Sequence, residues 1–195
     1  MRALALIGGL SALLLTGAPA PVGAASMKME KFTLTSPDVK PGSKIADQFV
    51  FNSFGCTGGN HSPELSWSGA PAGTKSFAVM IYDPDAPTGS GFWHWSVFNI
   101  PANTTRIPAD AGNDEKGTGL PQGTVQGRTD FGFSHFGGPC PPVGDAPHHY
   151  QVTVYALKLD KLPLDASAPA ALVGFYVHMN MLGKATIPGL FGRAK

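Results

Sequence analysis

I-Y-D-P-D-A-P-T-G-S-G-F-W-H-W-S-V-F-N-I-P, residues Ile81 to Pro101, decides how the rest of this chain is read. It opens at the end of an apolar run, Ser76 to Tyr82, that predicts a buried strand. The run stops at Asp83-Pro84-Asp85-Ala86-Pro87, where two prolines fix their own φ and restrict the residues before them, so the chain turns. A Gly-containing hairpin tip, Thr88 to Gly91, leads into a second apolar run, Phe92 to Ile100, whose one ionisable residue is His94. The reading is strand, carboxylate turn, strand with an embedded histidine, and it brings Asp83 near His94.

Outward from this stretch the punctuation persists. The chain has 195 residues, 25 Gly and 18 Pro, which suits one domain built from many short strands. Phe32 to Thr35, Gln48 to Phe51, Leu65 to Ser68 and His148 to Leu159 also read as strands, the last with Val152, Val154 and Ala156 on one face. Ala102 to Gly132 is poorly periodic and reads as a surface loop with at most a turn of helix. The predicted helix is Ala168 to Leu182: Pro169 suits its first turn, and Leu172, Phe175, Tyr176 and Met179 recur at i, i+3, i+4 and i+7 as its core-facing stripe. Gly183 closes the helix, and Pro188-Gly189 ends regular structure. The economical fold is mainly β, a two-sheet antiparallel sandwich with a short C-terminal helix.

Residues 1–24 read as a secretory signal peptide, with Arg2, an apolar Ala3 to Leu15 and then small residues, leaving residues 25–195 as a single domain in the periplasm or outside the cell. Loss of Arg2 leaves 13 basic residues against 13 acidic, so the chain carries no nucleic-acid footprint. An exported chain meets an oxidising compartment, and the two cysteines, Cys56 and Cys140, predict one disulfide, with two buried thiols as the alternative. A metal site on the pair is disfavoured, because CxxC spacing is absent.

Three motifs carry a resemblance. D-P-D-A-P at 83–87, H-W at 94–95 and G-P-C-P-P-x5-H-H-Y at 138–150 resemble the phosphatidylethanolamine-binding protein family, and specifically its bacterial Raf-kinase-inhibitor-like branch. N-H-S-P-E-L-S-W at 60–67 and R-T-D-F-G at 128–132 are similar to that branch too. The resemblance spans nearly all of residues 25–195. It implies a Greek-key type sandwich with a pocket for phosphate, acetate or a phospholipid head group. By position it places Asp83, His94, Gly138, Cys140, Pro142, His148 and Tyr150 at that pocket. Cys140 departs from the pattern, standing where mammalian members have a glycine whose N–H helps bind the ligand.

The residue chemistry agrees with the resemblance. Two histidines and the N–H groups of a Gly-Pro turn are donors for an anion, and Asp83 orients a histidine or pairs with an ammonium group. Trp93, Trp95 and Phe136 are candidate walls. Taken alone, His94 reads as a packed core histidine and Asp83 as a turn residue capping backbone N–H groups; the surrounding motifs move both to the pocket. Asp85 reads as a structural turn residue, and His149 points away from His148 by alternation. His61, His135 and His178 have no assigned partner.

Function follows at three levels. The first is a binding module for a phosphate-containing or other small anion, without a cofactor. The second, implied by the family, is an inhibitor of a protein partner such as a serine protease or a kinase. Catalysis is disfavoured, since G-x-S-x-G and H-E-x-x-H are both absent. Peripheral membrane contact is compatible with a head-group ligand.

Overall fold

The computed structural model describes residues 31–195; the signal-peptide reading of residues 1–24 lies outside them. Eight strands and one α-helix follow in order: β1 (Thr33–Thr35), β2 (Leu65–Ser68), β3 (Ser76–Asp83), β4 (Phe92–Pro101), β5 (Arg106–Ile107), β6 (Val125–Gln126), β7 (His148–Leu157), α1 (Ala170–Asn180) and β8 (Met181–Phe191). They form two antiparallel sheets, β1-β2-β5 and β6-β4-β3-β7-β8. The alternation of apolar side chains sets the layers. Leu34, Leu65, Trp67 and Ile107 of the small sheet meet Phe77, Val79, Ile81, Val97, Val152 and Val154 of the large one. The opposite face of the large sheet, through Ala78, Met80, Phe98, Tyr155 and Leu157, packs against Ala170, Val173 and Val177 of α1. The sandwich with one helix is therefore the fold.

Five local expectations are corrected. Gln48 to Phe51 is not a strand: Asp47–Phe49 forms a single 3-10 turn. The long 102–132 connection contains the two-residue edge strands β5 and β6. Regular structure does not end at Pro188-Gly189. The helix stops at Asn180, and β8 runs eleven residues through Pro188. β8 is the sheet edge, where a missing proline N–H leaves no ladder bond unmade, and Gly189 has no Cβ because Ile45 would meet one at 2.8 Å. The stripe Leu172, Phe175 and Met179 faces solvent rather than the core, which is touched by Ala170, Val173, Gly174 and Val177. Small residues on that side let the helix approach Met80 and Trp93 closely.

Candidate functional site

β3 and β4 pair with two irregularities of register, and these place the site. Ile81 pairs with Trp95 and Tyr82 with Trp93, so His94 is an extra residue in β4; Val79 pairs with Val97 and Phe77 with Ile100, so one residue of Phe98 and Asn99 is extra there. Asn99 takes a left-handed φ of 57° and its Oδ1 accepts from Leu162 N at 2.7 Å. At the first bulge His94 and Trp95 both turn to the inner face, the first towards a cavity and the second into the core. A β-bulge re-aims one side chain at the expense of one unpaired position.

The carboxylate turn is tied to β7 by two aspartates. Asp83 is 2% exposed, and its Oδ1 accepts from Asp85 N at 2.9 Å. Its Oδ2 meets Nδ1 of the buried His148 at 2.7 Å. The other ring nitrogen of His148 lies 3.6 Å from Asp145. Asp85 faces outward and accepts both the backbone N–H and the ring Nδ1 of the exposed His149, at 2.7 and 2.8 Å. The His149 backbone and side-chain bonds hold the Asp85 carboxyl below its usual range. Alternation thus sends the two adjacent histidines to opposite faces, each to its own aspartate of the turn.

His94 is held differently. Its Nδ1 donates to Gly137 O at 2.8 Å. A carbonyl only accepts, so Nδ1 carries the proton and the neutral ring presents a bare Nε2. Burial depresses the imidazole pKa below its ordinary value, against the opposing pull of Gly137 and of the Asp83 charge. The segment is clamped by Asn60, whose Nδ2 donates to Phe136 O at 3.2 Å and whose Oδ1 accepts from Gly138 N at 2.8 Å. Tyr150 is buried on β7 with a hydroxyl that lacks a hydrogen-bond partner; burial first, then the Asp83 carboxylate, pushes its ionisation far up, so it stays a neutral O–H.

The depressed His94 pKa has a stability consequence. The folded state binds this proton less readily than the unfolded chain, so the contribution is full above about pH 6.5, the ordinary histidine value, and is lost as pH falls through the lower folded value. The parent's melting temperature is expected to drop between pH 7 and pH 5 by more than that of His94→Gln, which does not titrate. Equal drops in a calorimetric series would exclude His94 as the titrating group.

Asp83, His94, Cys140, Pro142, His148 and Tyr150 line one cavity of about 150 Å³, together with Phe54, Phe92, Phe131, Thr88 and neighbouring turn atoms. Gly138, placed at the rim by the sequence reading, does not line it. A Cβ there would sit 2.0 Å from Phe49 O, and one at Gly137 would meet the Phe131 ring at 2.3 Å. Both glycines serve packing rather than ligand approach. The aromatic walls are also other than expected. Trp95 is in the core, donating from Nε1 to Gln126 at 2.7 Å, Phe136 packs edge-on against it, and Trp93 stacks on Tyr82. Phe92, Phe131 and Phe54 take their place, Phe131 edge-on to Phe92 and to His94. Phe92 is the inner residue before the bulge and Phe131 lies in the R-T-D-F-G motif, so both were within reach of the sequence; no periodicity marks Phe54.

Cys56 and Cys140 are joined as a disulfide across a separation of 84 residues. Arg193 spans the same gap, donating to Gly55 O at 2.9 Å and Pro141 O at 3.2 Å. Among the described residues no group of three His, Cys, Asp or Glu side chains is arranged to hold a metal ion. His61 meets Asp110 at 2.7 Å, His135 stacks on Phe133, and His178 bonds Gly174 O within α1; none of the three lines the cavity.

Comparison with known proteins places this arrangement. Residues 35–192 match the family model described as phosphatidylethanolamine-binding protein. The chain is 54% identical to the YbcL protein of Escherichia coli K12 over 166 residues, covering 85% of this chain and 90% of that one. It is 46% identical to the YbhB protein of the same organism over 158 residues, 81% of this chain and 98% of that one. The crystal structure of Escherichia coli YbcL, described as a member of the mammalian PEBP family, superposes with a TM-score of 0.82 at 55% identity, covering 84% of this chain and 99% of that chain. The PEBP homologue CT736 from Chlamydia trachomatis superposes at 0.67 and 25% identity, covering 83% and 97%. Sequence, fold and the order of the site motifs agree, and the chain belongs to the phosphatidylethanolamine-binding protein family.

Proposed function

We propose that this is an exported binding protein whose pocket takes a small phosphate-bearing head group, of the size and charge of phosphorylethanolamine. The observation that carries the reading is the cavity itself, in which two imidazoles, a buried phenol hydroxyl and a buried carboxylate converge between phenylalanine walls. Its 150 Å³ suits a head-group-sized ligand rather than acyl chains. No lysine or arginine lines it. An anion is therefore met by Tyr150 O–H and a protonated imidazole, while Asp83 opposes it and favours an ammonium carried by the same ligand. The disulfide suits an oxidising compartment, the periplasm or the exterior. Binding rather than turnover is the reading, because Cys140 is committed to the bridge and Thr88 Oγ1 to Gly91 O, leaving neither as a nucleophile.

Calorimetric titration with phosphorylethanolamine tests this. His94→Ala and His148→Ala should each weaken binding about tenfold or more, and His149→Ala should leave it unchanged. Binding draws a proton onto His94, so affinity should fall as pH rises above the depressed free-state value of that imidazole. Undiminished binding by both pocket variants would remove the site assignment.

A further inference from the structure

Helix α1 has an outward face unlike the rest of the surface. Ala170–Asn180 contains no Asp, Glu, Lys or Arg. At 3.6 residues per turn, Leu172, Phe175 and Met179 fall within about 60° of one another, opposite the buried side. They are 40%, 60% and 62% exposed. Leu182 follows at the start of β8, and Leu159 follows Lys158, whose N–H bonds Asn180 O at the helix end. Seven large apolar side chains are exposed among the described residues, and five of them are these, so the exposure is concentrated rather than scattered.

The rim of this patch is basic. Lys158 adjoins the helix C-terminus, and Lys184 pairs with Tyr155, whose ring lies against His178 of α1. Lys161 lies in the connection running to the helix start. Lys158, Lys161 and Lys184 are exposed and form no ion pair among the described residues. Of the neighbouring acids, Asp160 is paired with Lys75, and Asp165, which accepts from Ser167, keeps its charge, so three unpaired lysines stand against one unpaired carboxylate.

The geometry points to the α1 face as a docking surface for an anionic lipid bilayer. An apolar stripe enters the headgroup boundary while the surrounding lysines meet acidic head groups. The eleven-residue helix is about 16 Å long and so lies in the interface rather than crossing it. A second copy fits less well, because a two-fold contact sets the same patch against itself and brings its lysine rim against an identical rim. The pocket lies on the other face of the large sheet, so docking leaves it open. The inference does not rest on the head-group reading.

Flotation with phosphatidylcholine vesicles, with and without phosphatidylglycerol and free of ethanolamine lipid, tests it. Binding should require phosphatidylglycerol and fall in about 0.5 M salt. Phe175→Glu and Met179→Glu should each lower partitioning at least about tenfold, and Lys158→Glu and Lys184→Glu about fivefold. Phe175→Trp should show a blue-shifted emission on the anionic vesicles. Phe175→Glu should still bind phosphorylethanolamine as the parent does, which separates loss of this surface from failure of the pocket. Absent binding to phosphatidylglycerol vesicles, or undiminished binding by both glutamate variants, overturns the proposal. A dimer in sedimentation that Phe175→Glu dissociates, without vesicle binding, assigns the face to a second copy instead.

Discussion

Reduction of the Cys56–Cys140 bridge is expected to cost about 4–5 kcal/mol of stability, since it releases a loop of 84 residues in the unfolded chain. For a domain of this size that is a fall of about 10–15 °C in melting midpoint. The effect lies mainly in the unfolded state, because Arg193 still bonds Gly55 O and Pro141 O and keeps the two loops together when folded. Cys56→Ser/Cys140→Ser should therefore melt early yet retain most of its ligand affinity at low temperature, and adding Arg193→Ala should loosen the rim. Thermal scans with and without reductant, paired with titrations, check both halves. An unchanged midpoint would mean that the unfolded chain is already constrained by other contacts.

Asp83→Ala is the second large effect, expected at about 3–5 kcal/mol. It removes the acceptor of Asp85 N and strands the buried His148 Nδ1, so the cost is that of unpaired groups rather than of one lost contact. Asp83→Asn keeps an acceptor oxygen and should recover a substantial part of the stability while losing the charge that favours an ammonium. Urea unfolding of the two variants gives the comparison. A loss below about 1 kcal/mol for the alanine variant would show that His148 finds another partner, with Asp145 the nearest carboxylate.

The parts of the fold that were legible are those where one face is buried and the other wet. β7 alternates over its first four residues, so the period places His149 opposite His148, while the resemblance puts His148 and Tyr150 at the pocket. β8 alternates as well, but Pro188 and Gly189 hid an edge strand in which both residues are tolerated. α1 is apolar all round, and an apolar helix has no period that says which side is buried; its small residues, not its large ones, meet the sheet. In the site, the polar residues were recognisable as motifs. The walls were not: Trp93 and Trp95 stand as candidates in place of Phe92, because the bulge at His94 that sets which aromatic faces the cavity leaves no mark in the sequence.

That run becomes regular once two residues are set aside. Without His94 and Asn99 it reads Phe92, Trp93, Trp95, Ser96, Val97, Phe98, Ile100, alternating inward and outward throughout. The cavity-facing imidazole thus occupies an extra position in an otherwise regular strand. The alternation that builds the core and the position that faces the cavity are therefore separate features of one strand.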